Sequence, residues 1–124
     1  MKVVVLNNGA LSFVELEMKA DGIVDFGTDL DNPDFAAVAR AVGLYGVRVE
    51  RPGELYDALR AAFAHPGPAV VDVVTARQEL ALPPKITFDQ ARGFTLWATR
   101  SVLSGDGGTV LEVAKTNLRQ LALE

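Results

Sequence analysis

The chain has 124 residues, 49% hydrophobic and 23% charged, with no cysteine and a single histidine. That is one domain's length with enough apolar material to build a core, which excludes a disordered chain. Its 16 acidic residues against 12 Lys and Arg leave a net charge of −4, which excludes the basic face that electrostatic nucleic-acid binding requires. Without cysteine there is no disulfide framework, thiol nucleophile or Cys-type zinc site, and the composition fits a reducing cytoplasm. Met1–Leu6 lacks the length and cleavage pattern of a signal peptide, and no apolar run approaches the roughly 20 residues of a spanning helix. A soluble protein is expected, attached at most to a membrane surface.

Lys2–Leu6 reads KVVVL, a continuous β-branched run that predicts a parallel strand covered on both faces. Asn7-Asn8-Gly9 follows as a turn, and Ser12-Phe13-Val14-Glu15 has the capping-box form of a helix start. Met18–Asn32 is polar and aperiodic, with Gly22, Gly27, Asp25, Asp29 and Asp31, and reads as a long loop. Asn32-Pro33 predicts the cap and first residue of a second helix, with Phe35, Val38, Ala39 and Val42 as its buried stripe and Gly43 as its stop.

Leu44–Val49 is a second strand, and Arg51-Pro52-Gly53 punctuates. A third helix carries Leu55, Leu59, Ala62 and Phe63 and ends at His65-Pro66-Gly67-Pro68, where His65 is expected to cap it. Ala69–Thr75 is a third buried strand interrupted by Asp72. Strand, helix, helix, strand, helix, strand predicts an α/β fold: a partial three-layer sandwich, its short parallel sheet flanked by helices. Three strands are few for this many helices, which suggests strands upstream.

Beyond Thr75 the pattern changes. Leu80-Ala81-Leu82-Pro83-Pro84 reads as an extended linker. Thr87 to Gln90 forms another capping box, and Phe88, Ala91, Phe94, Trp97 and Ala98 line one side of a helix. Gly105–Gly108 breaks it. A last amphipathic helix sets Val110, Leu111, Ala114, Leu118 and Leu121 against Glu112, Lys115, Arg119 and Gln120.

Asn7-Asn8-Gly9 is the most informative motif. Ligands of open α/β sheets bind at the carboxyl ends of strands, and amides at a following helix N-terminus favour phosphate. Carboxamide oxygens also suit Mg²⁺, so strand, Asn-Asn and helix together point to Mg²⁺ with a diphosphate, although the tripeptide alone is a common turn. Asp25, Asp29, Asp31 and Asp34 do not match the spacing of a calcium loop, and Asp31 and Asp34 suit a nearby helix start.

The run VVVLNNGALSFVELEMKADGIVDFGTDLDNPDFAAVARAVGLYGVRVE resembles the cofactor-binding domain of thiamine-diphosphate-dependent enzymes, specifically bacterial pyruvate oxidase and pyruvate:quinone dehydrogenase. AVVDVV, ELALPPKITFDQARGF and EVAKTN extend the resemblance over almost the whole chain. The family's thiamine diphosphate motif opens with Gly-Asp-Gly and closes, one βαβ unit of about 30 residues later, with Asn-Asn. The resemblance implies that Asn8 is the Mg²⁺ ligand and that Asn8, Gly9, Ala10, Leu11, Ser12, Phe13 and Val14 run along the cofactor's diphosphate. Phe13 matches an aromatic between thiamine and flavin, which makes it a candidate for substrate or electron-transfer contacts. Ser12 stands where the family usually has Gly.

The Gly-Asp-Gly half does not precede Asn8, and Gly105-Asp106-Gly107 lies between two helices rather than at a strand end. Residues 1–76 are therefore expected to be the C-terminal half of the thiamine-diphosphate-binding domain, and 77–124 a linker and helical extension. On this reading the chain is part of an enzyme that oxidatively decarboxylates pyruvate with thiamine diphosphate, Mg²⁺ and, in the intact enzyme, FAD, and is inactive alone. Its partners would be the missing N-terminal domains or a second copy of itself. In the quinone-reducing branch the C-terminal segment binds lipid, which implies peripheral membrane contact through 109–121. The alternatives are an acetolactate synthase-like relative and a non-catalytic α/β interaction module. A phosphoacceptor receiver would need acids where Asn7 and Asn8 stand.

Overall fold

The computed structural model of the chain describes residues 1–77 and 87–121, with side chains to residue 115. They divide into two compact units: Met1–Gly9 with Leu30–Ala76, and Ala10–Asp29 with the part from Arg77 onward.

The first unit is a parallel sheet with helices. It contains β1 (Lys2–Asn7), α2 (Phe35–Ala41), β2 (Tyr45–Val49), a short 3-10 turn at Pro52–Glu54, α3 (Leu55–Ala64) and β3 (Ala69–Val74). The strand order is β1-β3-β2, with Val5 and Arg48 both in register with Asp72. Alternate residues of β3 face opposite sides. Ala69, Val71 and Val73 join Val49, Ala58 and Ala62 in the buried core, with Leu55 and Leu59 packed against it, so α3 covers this face. Val70 and Asp72 face the other side with Gly46 and Arg48, and α2 packs there. A Cβ on Gly46 would lie 2.2 Å from the Ala36 carbonyl oxygen, which is why glycine stands at that position.

The α/β class and short parallel sheet are those expected from the sequence, but several details differ. The KVVVL run is an edge strand, paired with β3 alone among the described residues, and its faces are not covered: Leu6 is 72% exposed, because α2 and α3 pack on β2 and β3. Helix α2 begins at Phe35 rather than Pro33. Its cap is Asp34, whose carboxylate accepts from the Ala37 amide at 2.8 Å, while the Asn32 side chain donates to Asn7 instead. The buried stripe is Ala36 and Ala39, and Val38 and Val42 are exposed, since only small residues let α2 close onto Gly46. Phe63 is likewise exposed, and Ala58 and Ala62 form the inner face of α3. His65 occupies the α3 C-cap position with its ring stacked on Tyr45.

The second unit contains α1 (Ser12–Ala20), α4 (Phe88–Leu103) and α5 (Gly107–Leu121). Leu11, not Ser12, is the N-cap of α1 and makes no side-chain cap bond, and the expected partner Glu15 is fully buried in ionic contacts. Helix α1 runs through Met18 to Ala20, so the loop starts later than expected; its far end is tied back by an antiparallel bridge between Ala10 and Asp29.

Thr87 and Gln90 form the expected capping box of α4. Its buried face, however, is Gly93, Trp97 and Ser101, not Phe88 and Ala91, because Gly93 sits directly against the Ala20 carbonyl of α1. On α5, Val110 and Val113 are half-buried, while Leu111 and Ala114 are exposed. The expected linker Leu80–Pro84 and the side chains of Leu118, Arg119, Gln120 and Leu121 lie outside the described residues. No described helix is long and apolar enough to cross a membrane.

Candidate functional site

The Asn-Asn turn lies at the carboxyl end of β1. Asn7 is the last strand residue, and its carbonyl accepts from the Thr75 amide at 3.0 Å, beyond the end of β3. Gly9 then takes φ +65°, a left-handed conformation that glycine adopts without steric cost, and its carbonyl accepts from the Leu30 amide at 2.9 Å. The chain on both sides of Asn8 is thus fixed.

A cleft of about 280 Å³ opens at these strand ends within the first unit. Asn7, Asn8 and Gly9 line it from the β1 end, Leu30, Asp31 and Asn32 from the segment before α2, Arg48 from β2, and Val74 and Thr75 from the β3 end. This is where the chain-reversal geometry of a parallel sheet leaves room for a ligand.

The two asparagines differ in role. Asn7 is nearly buried at 9% exposure; its Nδ2 donates to Asp72 at 3.2 Å and its Oδ1 accepts from Asn32 Nδ2 at 3.0 Å. Asn8 is half-buried at the cleft wall. Asp72 is fully buried in the central strand and also accepts from Arg48 Nη1 at 2.7 Å and the Phe35 amide at 3.1 Å. A buried carboxylate is tolerated only with such donors. Arg48 spans two carboxylates, and its pKa is raised chiefly by the hydrogen bond to Glu50 and further by Asp72.

The sequence-predicted residues divide between the units. Asn8 and Gly9 belong to the first. Ala10–Val14 belong to the second, where Ala10 is buried, Leu11 caps α1, Ser12 opens it, and Phe13 and Val14 are 77% and 44% exposed. Sequence reasoning missed the roles of Asp72, Arg48 and Asn32. A lone acid inside AVVDVV was the available signal, because a buried strand charge must find partners.

The four loop acids do not form a cluster. Asp25 pairs with Lys19 at 2.5 Å, Asp29 pairs with Arg77, and Asp34 caps α2. Among the described residues no group of three or more His, Cys, Asp or Glu is disposed to hold a metal. The cleft donors nevertheless fit Mg²⁺ in kind. The lining includes Asn8 and Asp31, whose side chains carry hard oxygens of the kind Mg²⁺ takes together with phosphate and water, and the Arg48 cation that also lines the cleft is engaged by Asp72 and Glu50.

Comparison with known proteins is consistent with this geometry. The family model described as "Thiamine pyrophosphate enzyme, C-terminal TPP binding domain" matches residues 1–73. YdaP of Bacillus subtilis, provisionally named a thiamine pyrophosphate-containing protein, is 39% identical over 99 residues, covering 80% of this chain and 17% of its own. IlvX of Mycobacterium tuberculosis, provisionally named an acetolactate synthase large subunit, is 40% identical over 80 residues, covering 57% of this chain and 16% of its own. Chloroplastic acetolactate synthase 2 of Zea mays is 30% identical over 119 residues, covering 89% of this chain and 18% of its own. The chain thus spans 16–18% of the length of these relatives. It belongs to the thiamine pyrophosphate enzyme family, matching that family's C-terminal TPP-binding domain.

Proposed function

We propose that this chain supplies the Asn8 side of a Mg²⁺–thiamine diphosphate site in an enzyme acting on pyruvate or a related 2-keto acid. The observation that carries the reading is the Asn8–Gly9 turn, held at the carboxyl end of a parallel strand beside a cleft lined by oxygen donors. Asn8 would present its carboxamide oxygen to Mg²⁺, and the residues from Gly9 to Val14 would follow the diphosphate. Thiamine diphosphate, when bound, supplies the centre that attacks the keto carbon and holds the electrons left by decarboxylation. The chain's own part is to orient the diphosphate and to keep Asn8 in place. Residues 1–76 would form this cofactor-binding portion and 77–124 a linker with a helical extension.

Two reactions compete beyond that point. Acetolactate synthase-like chemistry, which joins two keto acids without an external electron acceptor, is favoured by the names of two of the relatives described above. Flavin-linked oxidation of pyruvate rests on the sequence resemblance, and with it FAD, an electron acceptor, the cytoplasmic location and membrane contact through 109–121. The exposed Phe13 is a candidate substrate-side contact in either case. The natively expressed protein, assayed with pyruvate, separates them: acetolactate formed without an acceptor supports the first, and acceptor-dependent CO₂ release without acetolactate supports the second. Failure to consume any 2-keto acid would count against both. The 124-residue chain by itself is expected to turn over no pyruvate.

A further inference from the structure

We propose that Asp72 is a positioning residue for Asn8, acting through the Asn7 carboxamide; this rests on the reading of Asn8 as a magnesium ligand. Asp72 is a fully buried charge at the centre of β3, on the sheet face opposite Val71 and Val73, and a carboxylate buried there must be held by hydrogen-bond donors. Its carboxylate collects one donor from each surrounding element: Arg48 Nη1 from β2 at 2.7 Å, the Phe35 amide at the start of α2 at 3.1 Å, and Asn7 Nδ2 from the end of β1 at 3.2 Å.

The bond from Asn7 fixes which way its carboxamide faces. With Nδ2 turned to Asp72, Oδ1 must point the other way, and it accepts there from Asn32 Nδ2 at 3.0 Å. The main chain is held in the same place by the Thr75 amide on the Asn7 carbonyl and the Leu30 amide on the Gly9 carbonyl. Asn8 therefore stands between a strand end locked by Asp72 and a left-handed glycine locked by Leu30. Arg48 Nη1 and the Phe35 amide hold one oxygen of the Asp72 carboxylate while the other accepts from the Asn7 carboxamide, so the three donors together fix its orientation.

The test uses the full chain labelled with ¹⁵N, the isosteric Asp72→Asn, Asn7→Ala and the double variant. Exchange of the Thr75 and Leu30 amides, which donate to the Asn7 and Gly9 carbonyls, should quicken by about tenfold or more in either single variant, beyond any change within β3. Mg²⁺ affinity in the presence of thiamine diphosphate should fall by about 10- to 100-fold, the range usual for residues that orient a metal ligand. The double variant should lose no more than either single one, because both break the same link. A lowered thermal midpoint with unchanged Mg²⁺ affinity and no selective exchange at Thr75 and Leu30 would overturn the proposal, as would additive losses. If Asp72→Asn does not fold, Asn7→Ala decides in the same way, since it leaves Arg48 and Phe35 on Asp72. If the unmodified chain binds no Mg²⁺ with thiamine diphosphate, the magnesium reading fails, and selective exchange at Thr75 and Leu30 still decides whether Asp72 positions the turn.

Discussion

Asn7 Nδ2 donates to the buried Asp72 carboxylate at 3.2 Å, joining the end of the edge strand β1 to the centre of β3. Replacing Asn7 with Asp removes that donor and sets a second carboxylate against Asp72, a like-charge contact that disfavours the folded state. Asn7→Asp should therefore be less stable at pH 7 than Asn7→Ala, which loses the same donor but adds no charge. Urea midpoints of the two variants check this, and an Asp variant as stable as the Ala variant would contradict it.

Gly46 meets the Ala36 carbonyl so closely that a Cβ would stand 2.2 Å from it. Gly46→Ala must push α2 off the sheet, and overpacking of this kind costs about 1–3 kcal/mol. The urea midpoint should drop accordingly. Because α2 begins beside Asp72, the Phe35 amide resonance should shift with it.

Much of this fold could be read from the residues, and the exceptions share a cause. Strand and helix identities followed from local periodicity, and Thr87 capped α4 as its spacing suggested. What failed depended on distant partners. Asp72 was visible as a charge in an apolar strand, but its donors lie 65 residues away at Asn7 and 24 away at Arg48. Asn32 looked like a helix cap because Asn-Pro often is one, whereas its amide is drawn to Asn7. Glu15 fitted a capping box until Thr28, Lys19 and Arg77 surrounded its carboxylate. The Asn-Asn turn itself was legible, because strand, turn and helix are consecutive in the chain.

Lys19 is fully buried, with Nζ 3.3 Å from Glu15, 2.5 Å from Asp25 and 5.3 Å from the Trp97 ring centroid. Lys19→Met removes the cation, leaving Asp25 without its ion-pair partner and Glu15 with Arg77 alone, and breaking a buried pair in this way typically costs about 3–5 kcal/mol. Denaturant unfolding should show a loss of that order. A change within error would mean that the ionic network around α1 is already solvated.

The Glu54 carboxyl is held below its ordinary pKa, first by its hydrogen bond to Arg51 and further by that guanidinium's charge. A lowered folded pKa stabilises above the unfolded value, and that contribution disappears as pH falls through the folded one. Both side chains are solvent-accessible, so salt screens most of the effect. Glu54→Gln should slightly flatten the acid limb of the stability profile at low salt and leave it unchanged at high salt.

Ligation of Mg²⁺ by Asn8 is tested most directly by a Mg²⁺ titration of the ¹⁵N-labelled chain with thiamine diphosphate present, followed at the Asn8 side-chain amide. A saturable shift is expected at Asn8 and Gly9 that needs both Mg²⁺ and the diphosphate and, at Gly9, vanishes in Asn8→Ala. Unmoved Asn8 resonances, or binding that Asn8→Ala leaves intact, would contradict it.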